Sequence, residues 1–93
     1  MPNATSESLV DDERAIVTKW TLPGGAETGS HTHGYGYLVV YLTDGTLTVE
    51  AEGRIFEVSV SKHAVTSRAA GVSHNVSNRS GSVIEFVEIE LKR

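Results

Sequence analysis

Turn-forming residues recur roughly every 8–12 positions along the chain, and the segments between them show no helical repeat. Val, Ile and Thr supply 25 of the 93 residues (12 Val, 4 Ile and 9 Thr). These β-branched side chains favour the pleated surface of a sheet. The rhythm of short segments and turns therefore predicts one all-β domain, built as a sandwich, jelly roll or barrel.

The apolar pattern divides the chain into a polar start and a series of predicted strands. Residues 1–12 are polar and acidic, and we expect them to form a flexible N-terminal segment before a single domain at 13–93. Within that domain, strand patterns fall on 14–21, 30–33, 37–43, 46–51, 55–60, 65–68, 72–76 and 83–91. Asp44-Gly45 is the strongest hairpin pattern, and it predicts that the strands on either side of it pair.

The charge and the lack of cysteine exclude several classes of protein. The formal net charge is −4, and the lysines and arginines form no cluster, so we expect no nucleic-acid partner. Without cysteine there is no disulfide framework, thiol nucleophile or thiolate metal site. The longest apolar run, residues 37–42, is too short to cross a bilayer, and the N-terminal residues lack a signal-peptide pattern. We therefore expect a cytoplasmic protein with no membrane partner.

Three of the four histidines are spaced in a way that suits a metal site. His31 and His33 lie two residues apart on a predicted strand, so their imidazoles point to the same side. A divalent ion can bind two such nitrogens at about 2.0–2.1 Å, although an H-x-H pair fits two polar residues at a strand edge equally well. His74 supplies a third imidazole from a later strand. His63 lies in a turn and is interpreted as a surface residue.

Two spaced motifs of the sequence resemble those of the cupin superfamily. The first cupin motif, G-x5-H-x-H-x(3,4)-E-x6-G, aligns with Gly25, His31, His33, Leu38 and Gly45. The second, P-x-G-x2-H-x3-N, aligns with Ala69, Gly71, His74 and Asn78. Leu38 replaces the family's Glu, and Ala69 replaces its Pro. The resemblance covers roughly residues 14–91 and implies a cupin double-stranded β-helix, which is a jelly-roll barrel.

More narrowly, the chain resembles a branch of very small cupins that includes a beta-alanine degradation protein. Members of this branch commonly lack the Glu ligand, which implies that His31, His33 and His74 hold one divalent metal ion. Three neutral imidazoles leave at least one coordination position open. This donor set suits Fe, Ni, Zn, Mn or Cu, so it does not identify the metal. Small cupins are typically dimers, and the resemblance therefore implies a homodimer.

The strand that follows the histidine pair supplies further candidates for a ligand pocket. If the histidines point inward, we expect the Gly34–Gly36 bend to place Leu38 and Val40 in an apolar wall. Tyr35 and Tyr37 flank this bend, and either phenol could donate a hydrogen bond or carry a proton. Packing at a rim or an interface is the alternative for both.

Two charged residues complete the candidate site. Arg68 could clamp a carboxylate substrate, or it could form an ordinary surface ion pair. Glu88 lies among apolar residues of the last strand, where it could act as a base, support a histidine or simply be exposed. The expected catalytic residues are thus Tyr37 and Glu88, and the expected substrate-binding residues are Tyr35, Leu38, Val40 and Arg68.

The predicted site is compatible with two kinds of function, both involving a small molecule. The first is a metal-dependent enzyme acting on a small oxygenated metabolite, of the dioxygenase, lyase or isomerase type. The alternative is a non-catalytic cupin that binds or senses a small molecule, which an apolar wall without an obvious acid–base pair supports. The cupin fold alone does not choose between these functions.

Overall fold

The computed structural model describes residues 3–92, which form nine β-strands and no helix. The strands are β1 (Thr5–Asp11), β2 (Ala15–Leu22), β3 (His31–Thr32), β4 (Tyr37–Tyr41), β5 (Gly45–Ala51), β6 (Arg54–Val60), β7 (Val65–Arg68), β8 (Ser73–Ser77) and β9 (Ile84–Leu91). The bounds of β2 to β9 lie within about two residues of the predicted segments, because turn residues mark the ends of these strands. Within residues 3–92, no helix is long and apolar enough to cross a membrane.

The strands form two antiparallel sheets whose inner faces enclose the core. The five-stranded sheet has the order β1-β2-β9-β4-β7, and the four-stranded sheet has the order β3-β8-β5-β6. Buried apolar side chains from both sheets form one cluster, which includes Leu22, Tyr41, Leu47, Val76, Ile84 and Phe86. The chain is therefore an all-β sandwich, as the turn rhythm predicts.

The turn at Asp44-Gly45 does not form the predicted hairpin, and this prediction is wrong. It connects β4 in the five-stranded sheet with β5 in the four-stranded sheet. Gly45 is needed for close approach, because a Cβ there would lie 2.8 Å from Cδ1 of Ile84. A true two-residue hairpin joins β5 to β6 at Glu52-Gly53, where both φ angles are positive (54° and 75°) as a type I′ turn requires.

The N-terminal segment also differs from the expectation of a flexible terminus. Residues 5–11 form β1, which pairs along β2 from Thr5↔Thr21 to Asp11↔Ile16. All seven residues of β1 are exposed, since the strand lies at the edge of the sheet. Backbone hydrogen bonds to β2 hold this strand in place. Its side chains are polar, so its sequence lacks the alternation of apolar residues that would have predicted a strand. Residues 1 and 2 of the predicted segment lie outside the described residues.

The side chains of β4 face in the opposite direction from the one predicted. Tyr37, Val39 and Tyr41 are buried in the core, whereas Leu38 and Val40 are half-buried on the other face of the sheet. Across the Gly34–Gly36 bend, the odd-numbered residues of β4 face inward, as His31 and His33 do. Because β4 is apolar on both faces, its sequence could not indicate which face meets the core.

Candidate metal centre

The three predicted ligands come together between the two sheets. β3 pairs with β8 so that His31 lies directly opposite His74. His33 follows β3 immediately and is buried, with 6% of its surface exposed. One donor nitrogen from each of the three rings lies within 4.8 Å of the other two. The structure thus assembles the three histidines that the spacing of the motifs singled out.

Two distances between ring nitrogens fit a single small ion. Nε2 of His31 lies 3.2 Å from Nε2 of His33 and 3.1 Å from Nε2 of His74. Two nitrogens bound at about 2.0–2.1 Å are separated by about 2.9 Å at a right angle and about 3.4 Å at a tetrahedral angle. Both observed separations fall between these values, and the ligand nitrogens of His33 and His74 lie within 4.8 Å of each other. Three imidazole nitrogens grouped in this way are a donor set that suits one divalent ion.

The opposite nitrogens of two rings are held by acceptors, which fixes the tautomer. Nδ1 of His31 donates to the carbonyl of Gly29 at 2.8 Å, and Nδ1 of His33 donates to Oε1 of Glu90 at 2.7 Å. A neutral imidazole that donates from Nδ1 keeps its lone pair on Nε2. Both lone pairs therefore point into the shared space, as is usual for histidines that bind a metal.

A second layer of hydrogen bonds supports the loop that carries Gly29. Its N–H donates to Oδ1 of Asn75 at 3.0 Å, and Nδ2 of Asn75 donates to Oε2 of Glu27 at 2.9 Å. Gly29 has a φ of 88°, a conformation that favours glycine. Asn75 follows His74 on β8 and faces the opposite side, so one strand supplies a ligand and holds the loop that orients His31.

Glu88 and Tyr37 contact His33 from the five-stranded sheet. Oε2 of the buried Glu88 lies 3.4 Å from Nε2 of His33, and its Oε1 accepts a hydrogen bond from Nε1 of Trp20 at 3.0 Å. The ring of Tyr37 packs on His33 with 3.9 Å between centroids. Burial, followed by the nearby carboxylate of Glu88, raises the pKa of Tyr37 to about 12. The phenol therefore stays protonated and can donate a hydrogen bond.

The environments of His33 and His74 shift their pKa values in opposite directions. Burial lowers the pKa of His33, but hydrogen bonds and charges from Glu88 and Glu90 outweigh burial and leave it raised. Burial, followed by the neighbouring His31 and His33, lowers the pKa of His74 to about 4. His74 is consequently neutral at pH 7, which is the form that binds a metal.

The histidine cluster borders a cavity of about 430 Å³ that extends between the sheets. His74, Tyr37 and Glu88 line one part of it, and Arg68 lies exposed at its opening. The expected wall residues Leu38 and Val40 do not line it, because they lie on the outer face of β4. Tyr35 does not line it either, since the glycine bend leaves its side chain 39% exposed. These three placements correct the predicted substrate-binding set.

Three residues that the sequence reasoning missed belong to this site. Glu90 holds His33, Trp20 holds Glu88, and Asn75 supports the loop before His31. Glu90 could have been found, because it lies two residues beyond Glu88 on one strand and so shares its face. Trp20 and Asn75 are far in sequence from the groups that they hold, Glu88 and Gly29, so their role depends on the packing of different strands.

Comparison with known proteins agrees with this arrangement. No family model matches the chain. It is 48% identical to the beta-alanine degradation protein BauB of Pseudomonas aeruginosa over 92 residues, covering 98% of this chain and 96% of BauB. A cupin domain from Bordetella pertussis Tohama I superposes with a TM-score of 0.96 at 39% identity, covering 99% of this chain and 96% of that one. An RmlC-like cupin from Methanocaldococcus jannaschii, with a double-stranded β-helix, superposes with a TM-score of 0.81 at 17% identity over 95% of this chain and 79% of that one.

The chain therefore belongs to the cupin superfamily, and its two sheets form the predicted cupin double-stranded β-helix. Within the superfamily it is a small cupin that resembles BauB over nearly the full length of both chains.

Proposed function

We propose that this protein is a divalent-metal-dependent cupin enzyme that acts on a small oxygenated metabolite. The observation that carries the proposal is the convergence of Nε2 of His31, His33 and His74 at the edge of a largely apolar cavity. A divalent ion would accept the lone pairs of three neutral imidazoles at once. Three neutral ligands also leave room for a substrate oxygen to bind.

A divalent ion held there would polarise a substrate oxygen or activate bound water or dioxygen. Around it, Gly29 and Glu90 keep the rings of His31 and His33 in the binding tautomer. Glu88 is placed to accept a proton beside Nε2 of His33, with Trp20 fixing its orientation. Tyr37 supplies a phenol that remains a donor at neutral pH.

The relative BauB suggests where such chemistry would be used. Its name assigns it to beta-alanine degradation, and we extend that role to this chain because the two sequences match from end to end. Arg68, at the opening of the cavity, would engage the carboxylate that an acid of such a pathway carries.

Metal content tests the central part of the proposal. Protein purified without added metal or a nickel column should contain close to one divalent ion per chain by elemental analysis. The His31→Ala and His74→Ala variants should lose that ion and weaken titrated metal binding at least about a hundredfold, because each loses one of three ligands. His63→Ala is the matched control, since His63 is exposed in a turn. Equal metal content in all four proteins would refute the metal site.

A turnover screen separates an enzyme from a binding or sensing module. Metal-loaded protein should consume oxygen or convert keto acids and diketones in a reaction that is lost in Glu88→Gln, while metal content is unchanged. Absence of turnover with every metal, together with saturable binding of a small acid, would favour the non-catalytic alternative.

We also propose a homodimer that forms through the outer face of the five-stranded sheet. On this face, the strand register places apolar side chains of neighbouring strands side by side. One row contains Val17, Ile89 and Leu38, and the next contains Val87 and Val40. A second copy packed on these rows would remove their apolar surface from water. Light scattering at micromolar concentration should give a dimer, and Val40→Lys should give a monomer while the exposed control Glu57→Lys does not. A monomeric wild type would contradict the proposal.

A further inference from the structure

The cavity beside the histidines is larger than a three-carbon metabolite needs. Its volume of about 430 Å³ is nearly three times that of an engineered cavity of about 150 Å³ that holds benzene, a molecule of about six non-hydrogen atoms. A three-carbon amino acid such as β-alanine has only about six non-hydrogen atoms. Well-matched pockets bury about 70–90% of the ligand surface. A ligand that fills this cavity must therefore be considerably larger.

The deep part of the cavity is apolar and rich in aromatic rings. Val39, Tyr41, Leu47 and Phe86 are all at least 93% buried and line its inner end. Four of the six aromatic residues of the chain line the cavity, namely Tyr37, Tyr41, Phe56 and Phe86. Tyr41 and Phe86 meet edge to face with 6.2 Å between centroids. Such walls suit a flat apolar body. The buried carboxylate of Glu88, which lines another part of the cavity, already accepts a hydrogen bond from Trp20 and lies beside His33.

The opening of the cavity is different, since two arginines flank it from opposite sheets. Arg54 begins β6 in the four-stranded sheet, and Arg68 ends β7 in the five-stranded sheet. Within residues 3–92, neither guanidinium has a carboxylate within salt-bridge distance. Among the described residues that line the cavity, Glu52 and Glu88 are acidic; Glu88 is buried beside His33, and Glu52 is exposed. Two exposed guanidinium groups beside the single exposed carboxylate of the lining favour an anionic group at the opening.

We propose that the substrate class of this cupin is an aromatic carboxylate of about ten or more non-hydrogen atoms. The aromatic body occupies the space between Val39, Leu47 and Phe86, and the carboxylate lies between Arg54 and Arg68. This assignment rests on the proposed function, because the reaction would take place on a ring that lies beside the histidine cluster. It excludes free β-alanine as the ligand, and any role in β-alanine breakdown would then involve β-alanine linked to a larger acid.

Direct binding to metal-free protein tests the assignment, with 2-naphthoate as the probe. Calorimetric titration should show that 2-naphthoate binds at least about tenfold more tightly than the neutral 2-naphthamide, because the amide lacks the charge that the arginines recognise. β-Alanine should bind more weakly than either. Equal affinity for 2-naphthoate and 2-naphthamide, or tighter binding of β-alanine, would overturn the assignment.

Variants at the two ends of the cavity locate the probe. Arg54→Gln and Arg68→Gln should each weaken 2-naphthoate binding about three- to tenfold, and the double variant should weaken it further. Arg14→Gln is the control of equal charge, because Arg14 is exposed and does not line the cavity. An unchanged affinity in both single variants and the double variant would refute the proposed carboxylate position.

A cavity-filling change tests the position of the ring. Val49→Phe places a larger side chain in the lining and should abolish 2-naphthoate binding, whereas Val87→Phe on the outer face should not. Circular dichroism reports whether each variant is folded, and the arginine variants decide the matter if Val49→Phe is not. The titrations use metal-free protein, so they do not depend on the metal site. If the protein binds 2-naphthoate but does not bind a metal, the proposed function is refuted and the proposed ligand class is not.

Discussion

The two ends of β8 both carry polar side chains inside the protein, but they differ in how these side chains are satisfied. Asn78, just beyond the C-terminal end, is fully buried. Its Nδ2 donates to the carbonyls of Leu22 and Ser82 at 2.8 and 2.6 Å, and its Oδ1 accepts from the N–H and Oγ of Ser80. At the N-terminal end, Nε2 of His74 lies 3.1 Å from Nε2 of His31, whose lone pair points towards it.

We interpret this difference as one between a structural polar group and a candidate functional one. The amide of Asn78 has its donors and its acceptor occupied within the protein, so it needs nothing from outside and fixes the connection between β8 and β9. His31 and His33 have acceptors at Nδ1, whereas Nε2 of His31 faces the Nε2 atoms of His33 and His74. Under the proposed function an external ion completes this cluster, and the contrast can be tested with variants at each end of β8.

The largest effect is expected for Asn78→Ala. The change removes the Asn78 side chain as partner of the buried carbonyl of Leu22 and of the N–H of Ser80, so the free energy of unfolding should fall by about 3 kcal/mol. Urea unfolding of metal-free protein measures it. The contrasting variant is His31→Ala, which should change the unfolding free energy of metal-free protein by less than about 1 kcal/mol. A larger loss in His31→Ala than in Asn78→Ala would reverse the comparison.

The next effect concerns pH. Metal binding requires neutral His33, and the pKa of His33 is raised above its ordinary value of 6.5. Metal affinity should therefore fall at least about thirtyfold between pH 8 and pH 5, as protons compete for Nε2. His74, with a pKa of about 4, should add little in this range. Calorimetric titration at several pH values measures this dependence, and a constant affinity from pH 8 to 5 would exclude the histidines as ligands.

The metal-free protein should show the opposite trend. Because the folded state raises the pKa of His33, its charged form contributes stability that is complete below pH 6.5 and is lost as the pH rises through the raised pKa. Urea unfolding across the same pH range, compared with His33→Ala, isolates this contribution. A contribution that increased with pH would show that Glu88 and Glu90 do not stabilise the charged ring.

A smaller loss of metal affinity is expected for Glu90→Gln. The amide oxygen can still accept the hydrogen bond from Nδ1 of His33, but the negative charge is lost, so metal affinity should weaken about tenfold. Glu85→Gln on the same strand is the matched control, because Glu85 faces outward and pairs with Lys19 at 3.5 Å. Metal titration compares the two variants, and equal losses would mean that Glu90 does not act through His33.

The smallest effect is expected for Ser80→Ala. Ser80 is exposed, and its Oγ donates to Oδ1 of Asn78 at 2.6 Å, while its backbone N–H remains available after the change. The free energy of unfolding should fall by about 1 kcal/mol, with metal affinity unchanged. Urea unfolding and metal titration of the same sample measure both quantities. A loss of metal affinity would show that the two ends of β8 are coupled.

The sequence by itself determined the class of fold and the members of the histidine cluster. Regular turns and β-branched residues specify an all-β domain, because these preferences act within a few residues. The spacing of His31, His33 and His74 within two motifs singled out three residues that the structure brings together. Motif spacing carries this information because it fixes where each residue lies along its strand.

Only the tertiary structure decided which strands pair and which face of each strand is buried. The turn at Asp44-Gly45 has hairpin residues but joins two sheets, and the polar β1 is a strand because β2 offers it a backbone edge. β4 is apolar on both faces, so its burial depended on the sheet packed against it. The contacts of Glu90, Trp20 and Asn75 likewise join residues from different strands. Such pairings reflect the free energy of the whole packed sandwich, whereas sequence patterns report the preferences of one segment at a time.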